Sequence, residues 1–388
     1  MFVRWDNLTI DAEDRTRLPG YKDAAVVRHF DAPEALDTRF YEVRAKSALN
    51  RVPERSRMPF RWTINPYRGC SHACVYCFAR PTHTYLDMDA GRDFEREIVV
   101  KVNAPEVVRT ELARPSWKGE HIAMGTNTDP YQWVEGRYKL MRGIWEALRD
   151  HANPCSVLTK SPLLLRDLDL MLEIAAVTDI AANLSIPTMD EKPWRASEPH
   201  TPSPRARMEA VAELNRAGIP TGILVAPLMP GINDDPRQVE RILEAAGEAG
   251  AVGVSGIALH LRGEVRGIFM EWLRSYRPDL VDRYEGLYAR GAYAPREEQD
   301  RLRRVLATTR LHTGHESPHR SPADSRGVRR ARQEAGAART GAMPSASRRP
   351  GRAQGEAWPP MAPDRADSAD RSDRPEPRVR PGRQEALF

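Results

Sequence analysis

Between residues 60 and 260, strand-like and helix-like runs alternate six times, and this alternation restricts the possible folds more than any other feature of the chain. Residues 60–64, 120–124, 155–160, 179–186, 219–226 and 252–260 read as strands, with helices over 105–114, 138–151, 161–176, 203–218 and 235–250. Ser161-Pro162, Ser203-Pro204 and Asp235-Pro236 supply side-chain caps followed by first-turn prolines. The 138–151 helix gathers Leu140, Met141, Ile144, Trp145 and Leu148 on one face. Alternation of this kind implies parallel strands joined by helical crossovers. The fold class is α/β, either a (β/α) barrel, complete or partial, or a doubly wound sheet. In both, chemistry collects where strands end. The cysteine-rich loop follows strand one, 125–130 follows strand two, Lys160 ends strand three, and Ser185 ends strand four.

Composition divides the rest. Of 388 residues, 32 are proline and 40% are hydrophobic, which is too proline-rich for one compact fold. From about Gly314 onward the chain is Arg, Pro, Ala, Ser, Gly and Asp, and such a stretch buries too little apolar surface to offset its ordering entropy. The expected organisation is an N-terminal extension over 1–58, a core over 59–275, a helical segment over 276–313 and a disordered tail over 314–388. The formal charge of +5 is mild and excludes a histone-like polycation. No run approaches the ~20 apolar residues that span a bilayer, and residues 1–6 carry no apolar leader. A cytoplasmic protein without membrane contact is expected.

Three of the four cysteines, Cys70, Cys74 and Cys77, fall within eight residues, a pattern foreign to disulfide frameworks. Three thiolates spaced C-x3-C-x2-C can hold three corners of a [4Fe–4S] cube and leave the fourth iron open to another ligand. Zinc is the alternative, but His72, His83 and the distant Cys155 form no second ligand pair. Buried structural cysteines are the third reading.

Cys70-x3-Cys74-x-Tyr76-Cys77 resembles the signature of the radical S-adenosylmethionine superfamily. Asn65-Pro-Tyr-Arg-Gly-Cys70, Tyr76-Cys-Phe-Ala-Arg80 and the stretches 197–202 and 217–227 are similar to the branch containing spore photoproduct lyase, over about residues 60–270. The resemblance implies a partial (β/α)6 TIM-like barrel. It implies an enzyme that cleaves S-adenosylmethionine reductively at a [4Fe–4S] cluster, producing a 5′-deoxyadenosyl radical. By the same resemblance Cys70, Cys74 and Cys77 hold iron, and Tyr76 lies near the adenine. Gly125, Thr126, Asn127 and Thr128 meet the methionine amino group, Lys160 meets its carboxylate, and Ser185 and Glu198 contact carboxylate and ribose. Spore photoproduct lyase carries a hydrogen-donating cysteine after strand two, where this chain reads Met124-Gly-Thr-Asn-Thr-Asp129. The reaction is therefore expected to differ from that of the lyase. With no second cysteine cluster, electrons are expected from a flavodoxin or ferredoxin.

The chain ends Gln384-Glu-Ala-Leu387-Phe388, similar to the peptide by which bacterial repair proteins dock on the sliding clamp. Gln384, Leu387 and Phe388 on a disordered arm point to DNA as the substrate, with lesion repair as the expected role. An RNA- or peptide-modifying enzyme with the same cofactors, or a non-catalytic metal-binding module, are the alternatives.

Overall fold

The computed structural model describes residues 12–307 apart from 17, 22–24, 31–36, 55 and 57. The expected tail over 314–388, including Gln384, Leu387 and Phe388, lies outside the described residues.

The strands in chain order are β1 (Ala12–Thr16), β2 (Ala25–Arg28), β3 (Arg39–Val43), β4 (Leu49–Arg51), β5 (Trp62–Ile64), β6 (Tyr67–Arg68), β7 (Glu97–Lys101), β8 (Ile122–Met124), β9 (Cys155–Thr159), β10 (Ile180–Ser185), β11 (Thr221–Leu228) and β12 (Val254–Ala258). The larger sheet runs β12-β11-β10-β9-β8-β5-β4. Every pairing from β5 to β12 is parallel, and β4 joins antiparallel at the edge. Spatial order therefore follows chain order, whereas a doubly wound sheet reverses at a switch point. Among the described residues no ladder joins β12 to β4. The architecture is a singly wound, partial (β/α)6 barrel.

Local signals explain why the helices sit where they do. Ser161 Oγ accepts from Leu163 N–H (3.2 Å), Ser203 Oγ from Ala206 N–H (3.1 Å) and Asp235 Oδ1 from Arg237 N–H (2.9 Å). Each of these precedes a proline at the first helical turn. The helix Leu140–Asp150 buries Leu140, Met141, Ile144, Trp145 and Leu148, the face expected from their spacing. Met141, Ile144, Trp145 and Leu148, together with Val157, Ile174, Leu184, Val211, Ile223 and Ile242, form the main core between the sheet and its helices, while Leu140 joins a separate cluster with Phe40, Tyr67 and Ile98.

A second sheet, ordered β1-β2-β3-β7-β6, stands beside the barrel strands. Residues 12–51 supply three of its strands, and β3 runs parallel to β7 from Arg39↔Glu97 to Val43↔Lys101. All five residues of β7 are buried. Because β6 pairs with β7 through Tyr67↔Val100 and Arg68↔Val99, this sheet anchors the chain just ahead of the cysteine loop. Helices over Val281–Leu287 and Arg296–Ala307 follow the barrel. No helix among the described residues is long and apolar enough to cross a membrane.

Candidate functional site

From the C-terminal end of β5 the chain passes through β6 and enters the cysteine loop. Gly69 (φ +82°) turns the chain, and a Cβ there would lie 2.9 Å from His83, Ile98 and Phe94, so only glycine fits. Turns of backbone hydrogen bonds follow, Ala73 N–H to Cys70 O (3.3 Å) and Cys77 N–H to Cys74 O (3.2 Å). Arg80, 1% exposed, clips the loop from beneath. Its guanidinium donates to the carbonyls of Ala73 (3.2 Å), Cys74 (3.0 and 3.1 Å), Ala90 (3.2 Å) and Gly91 (2.9 Å), and it pairs with Glu95.

Cys70 and Cys74 are buried and Cys77 is half-buried; none is in a disulfide. Burial raises all three thiol pKa values, and neighbouring Asp129 and the other thiols push Cys70 further the same way. Deprotonation here needs a cation, which is what an iron cluster brings. Among the described residues no three His, Cys, Asp or Glu side chains converge on a single-ion site. Three thiols free of disulfides on one short loop are a donor set that a cubane can take on three of its irons. The donor set fits the cluster.

The loop after β8 packs directly on the cysteine loop. Thr128 Oγ1 donates to Gly69 O (2.6 Å), and Asn127 N–H donates to Asn65 Oδ1 (3.2 Å). Gln132 bridges the two loops, accepting from Ser71 N–H (2.9 Å) and donating to Gly69 O (3.2 Å). Thr126 is half-buried in the same turn. Gly125 (φ +82°) permits this approach, since a Cβ there would lie 1.8 Å from Leu158 O of β9. Asp129 Oδ2 accepts from Lys160 N–H (2.8 Å) and lies 3.4 Å from His72 Nδ1, tying the end of β9 to the cysteine turn.

Lys160, Ser185 and Glu198 meet Tyr76 in one network. Lys160 Nζ lies 2.8 Å from Glu198 Oε1, donates to Ser185 Oγ at 2.8 Å, and stands 5.6 Å from the centroid of the Tyr76 ring. Tyr76 hydroxyl donates to Glu198 Oε1. Arg207, fully buried, closes the set by binding Glu198 Oε2 (2.6 Å) and Ser185 O (2.9 Å). Burial alone would raise the Glu198 pKa, but Arg207, Lys160 and the Tyr76 hydrogen bond bring it down to about 2. Two cations thus face one carboxylate, and the surplus positive charge lies on Lys160, the more exposed of the two. This local excess suits an incoming carboxylate.

A model of the Radical SAM superfamily matches residues 64–246. An uncharacterized protein of Mycobacterium tuberculosis (strain H37Rv) is 47% identical over 294 residues, covering 76% of this chain and 86% of that protein. The chain belongs to the radical SAM superfamily. The radical SAM Nalpha-GlyT isomerase of Pseudomonas phage M6 is 26% identical over 234 residues, covering 59% of this chain and 46% of that enzyme. A spore photoproduct lyase complexed with dinucleoside spore photoproduct shares the fold at a TM-score of 0.52 and 15% identity, covering 71% of this chain and 79% of that one. Superfamily membership makes this an enzyme of radical chemistry.

In this radical SAM chain, Tyr76, Lys160, Ser185 and Glu198 share one hydrogen-bonded cluster, while Gly125, Asn127 and Thr128 shape and pin the neighbouring loop. From sequence, Arg207 and Arg80 carry no assigned role, and His72 enters only as a zinc ligand, not as the partner of Asp129. Arg207 had a legible signal: it sits between Pro204, Met208 and Val211 on the buried face of its helix, where an arginine needs a buried partner. Cys155 begins β9 at the end remote from Lys160, fully buried, and burial raises its thiol pKa. It is a core residue.

Lys101 was also overlooked. It is buried at the end of β7, donating from Nζ to Asn65 O at 2.8 Å. Burial, with a smaller contribution from Arg68, lowers its pKa from 10.5 to about 8. The unfolded chain holds this proton more tightly, so the lysine subtracts stability below about pH 8 and the penalty disappears as pH rises to 10.5. Lys101→Met is expected to raise the unfolding free energy at pH 7 by about 1–3 kcal/mol, with the gain shrinking by pH 10. Urea titrations across that range measure it, and a gain that grows with pH contradicts the assignment.

Proposed function

We propose that this chain is a radical SAM enzyme that holds a [4Fe–4S] cluster at Cys70, Cys74 and Cys77, binds S-adenosylmethionine beside it, and acts on DNA. When bound, the two groups supply one-electron reductive cleavage and a 5′-deoxyadenosyl radical. The protein's own work is positioning. Gly125, Thr126, Asn127 and Thr128 present open backbone and polar atoms to the methionine ammonium. Lys160, carrying the surplus charge of the Glu198–Arg207 network, takes the methionine carboxylate, and Ser185 orients that ammonium group at 2.8 Å. Tyr76, fixed by Glu198, offers its ring to the adenine. The observation that carries the reading is this excess cation set against the ring of Tyr76 on the cysteine loop itself.

DNA is supported by the neighbour that holds a dinucleoside photoproduct. The reaction differs from photoproduct reversal by that enzyme's route, because Met124 and residues 125–129 offer no thiol and Cys155 lies at the far end of the strand. The electron donor is an external flavodoxin or ferredoxin.

The test is anaerobic reconstitution followed by EPR with and without S-adenosylmethionine, then assay of 5′-deoxyadenosine under dithionite and nucleoside analysis of damaged DNA incubated with the enzyme. A spectrum altered by the co-substrate, together with 5′-deoxyadenosine, is expected. A colourless protein with one zinc and no cleavage overturns the cofactor reading. Cleavage that no DNA stimulates, with every nucleoside unchanged, overturns the substrate.

A further inference from the structure

Immediately beyond the third cysteine, the barrel mouth carries a row of side chains that the cofactor site does not use. Phe78 is 53% exposed and Tyr293 52% exposed, although both are large rings. His260 lies between them, 5.9 Å from the Phe78 ring and 5.6 Å from the Tyr293 ring, at interplanar angles of 59° and 52°. The row is built into the backbone: segment 259–261, leaving the end of β12, bridges to Tyr293 through His260 and accepts support from Leu261 N–H to Ala292 O (2.8 Å). Arg262 continues the row, its guanidinium 5.2 Å from the centre of the Tyr293 ring. Beyond it, Arg266 and Arg274 line an open cleft of about 560 Å³ that starts at Gly263. Glu285 lies 3.7 Å from Arg274, and Glu264 is exposed nearby; Arg262 and Arg266 form no ion pair among the described residues.

Half-exposed rings beside guanidinium groups, two of them without an ion pair among the described residues, match one class of ligand closely. A nucleotide presents a flat π-face and an anionic phosphate about one backbone unit apart, and unstacked bases are held by aromatic rings and arginine planes. We propose that Phe78, His260, Tyr293 and Arg262 form a stacking ledge for an unpaired nucleotide of the substrate strand, with Arg266 and Arg274 following its phosphates. The inference rests on the nucleic-acid part of the proposed function and narrows it: the strand is engaged single-stranded or with a base turned out of the duplex. Phe78 adjoins Cys77, so a base on the ledge lies at the edge of the cysteine loop, where radical chemistry needs its substrate carbon.

The probe is a short fluorescein-labelled oligothymidylate, titrated by anisotropy into the anaerobic full-length holoenzyme over a range of salt. Tyr293→Ala is expected to weaken binding about tenfold or more, and Tyr293→Phe to bind as the native chain does. Arg266→Gln is expected to flatten the logarithmic salt slope by about 0.7, the share of one phosphate on a single strand. In the native chain, a 2-aminopurine in the oligonucleotide is expected to lose fluorescence on binding, which requires no variant to fold. Equal affinity of Tyr293→Ala and the native chain, unchanged 2-aminopurine emission, or equally strong binding of an oligoglutamate peptide overturns the ledge. The first two results from a protein that still makes 5′-deoxyadenosine reject the ledge and leave the cofactor reading intact. Ring-dependent binding by a protein that makes none does the reverse.

Discussion

Glu198→Ala is expected to lower the unfolding free energy by about 3–5 kcal/mol, because it strands the fully buried guanidinium of Arg207 without a counter-charge. Glu198 also anchors the Lys160 ammonium and the Tyr76 hydroxyl, so its loss frees three polar groups at once. Lys160→Met makes the useful contrast. Arg207 still neutralises the carboxylate, so this variant loses much less stability, while the proposed carboxylate site loses its cation. The sign of the pH dependence follows from a depressed carboxyl pKa. Burial opposes ionisation, yet Arg207 and Lys160 bring Glu198 from 4.5 to about 2, so its contribution is complete above pH 4.5 and is lost as pH falls towards 2. Glu198→Gln is accordingly expected to be much less stable than the native chain at neutral pH and to converge with it in strong acid. Denaturant titrations measure both. A loss below about 1 kcal/mol, the range of an exposed ion pair, means the network is not the buried unit described here.

Gly125→Ala is expected to remove activity and to cost on the order of 3 kcal/mol or more. The added methyl would sit 1.8 Å from Leu158 O, a carbonyl of the central strand β9, whose neighbours β8 and β10 hold it in register. Either the sheet gives way or the 125–128 turn lifts from the cysteine loop, breaking the contacts of Thr128 with Gly69 and Asn127 with Asn65. Gly119→Ala separates this steric effect from backbone conformation. Gly119 also has positive φ (+66°), but nothing lies within 4 Å of an added Cβ, so only the left-handed penalty of about 1–2 kcal/mol remains. Melting temperatures of the two variants, with 5′-deoxyadenosine formation measured alongside, make the comparison. Equal losses at both positions refute the clash.

The barrel was readable because its signals are local. Ser161, Ser203 and Asp235 cap helices within two or three residues of themselves, and the Leu140–Leu148 face repeats at the helical period. Each barrel strand is likewise flanked by turn-forming residues. The second sheet was not readable in this way. β7 is five residues long and buried throughout, so it lacks the alternation that marks a half-exposed strand. Its partner β3 lies 58 residues earlier, and nothing near either strand signals the other. The same distinction holds within the site: the cysteines announce themselves by spacing, whereas Arg80 and Arg207 take on their roles only through the carbonyls and carboxylate folded around them.

From the linear order of residues alone came the parallel β/α alternation, the positions of the strand ends, and three thiols able to grip iron. Each depends on chemistry within a few positions along the backbone. Folding in three dimensions chose the sequential sheet over its doubly wound rival, brought Lys160, Ser185 and Glu198 from three separate segments onto Tyr76, and lined up Phe78, His260 and Tyr293 at the mouth. Those outcomes turn on contacts between segments far apart in the chain, whose energies depend on burial and relative orientation and leave no periodic trace in composition or spacing.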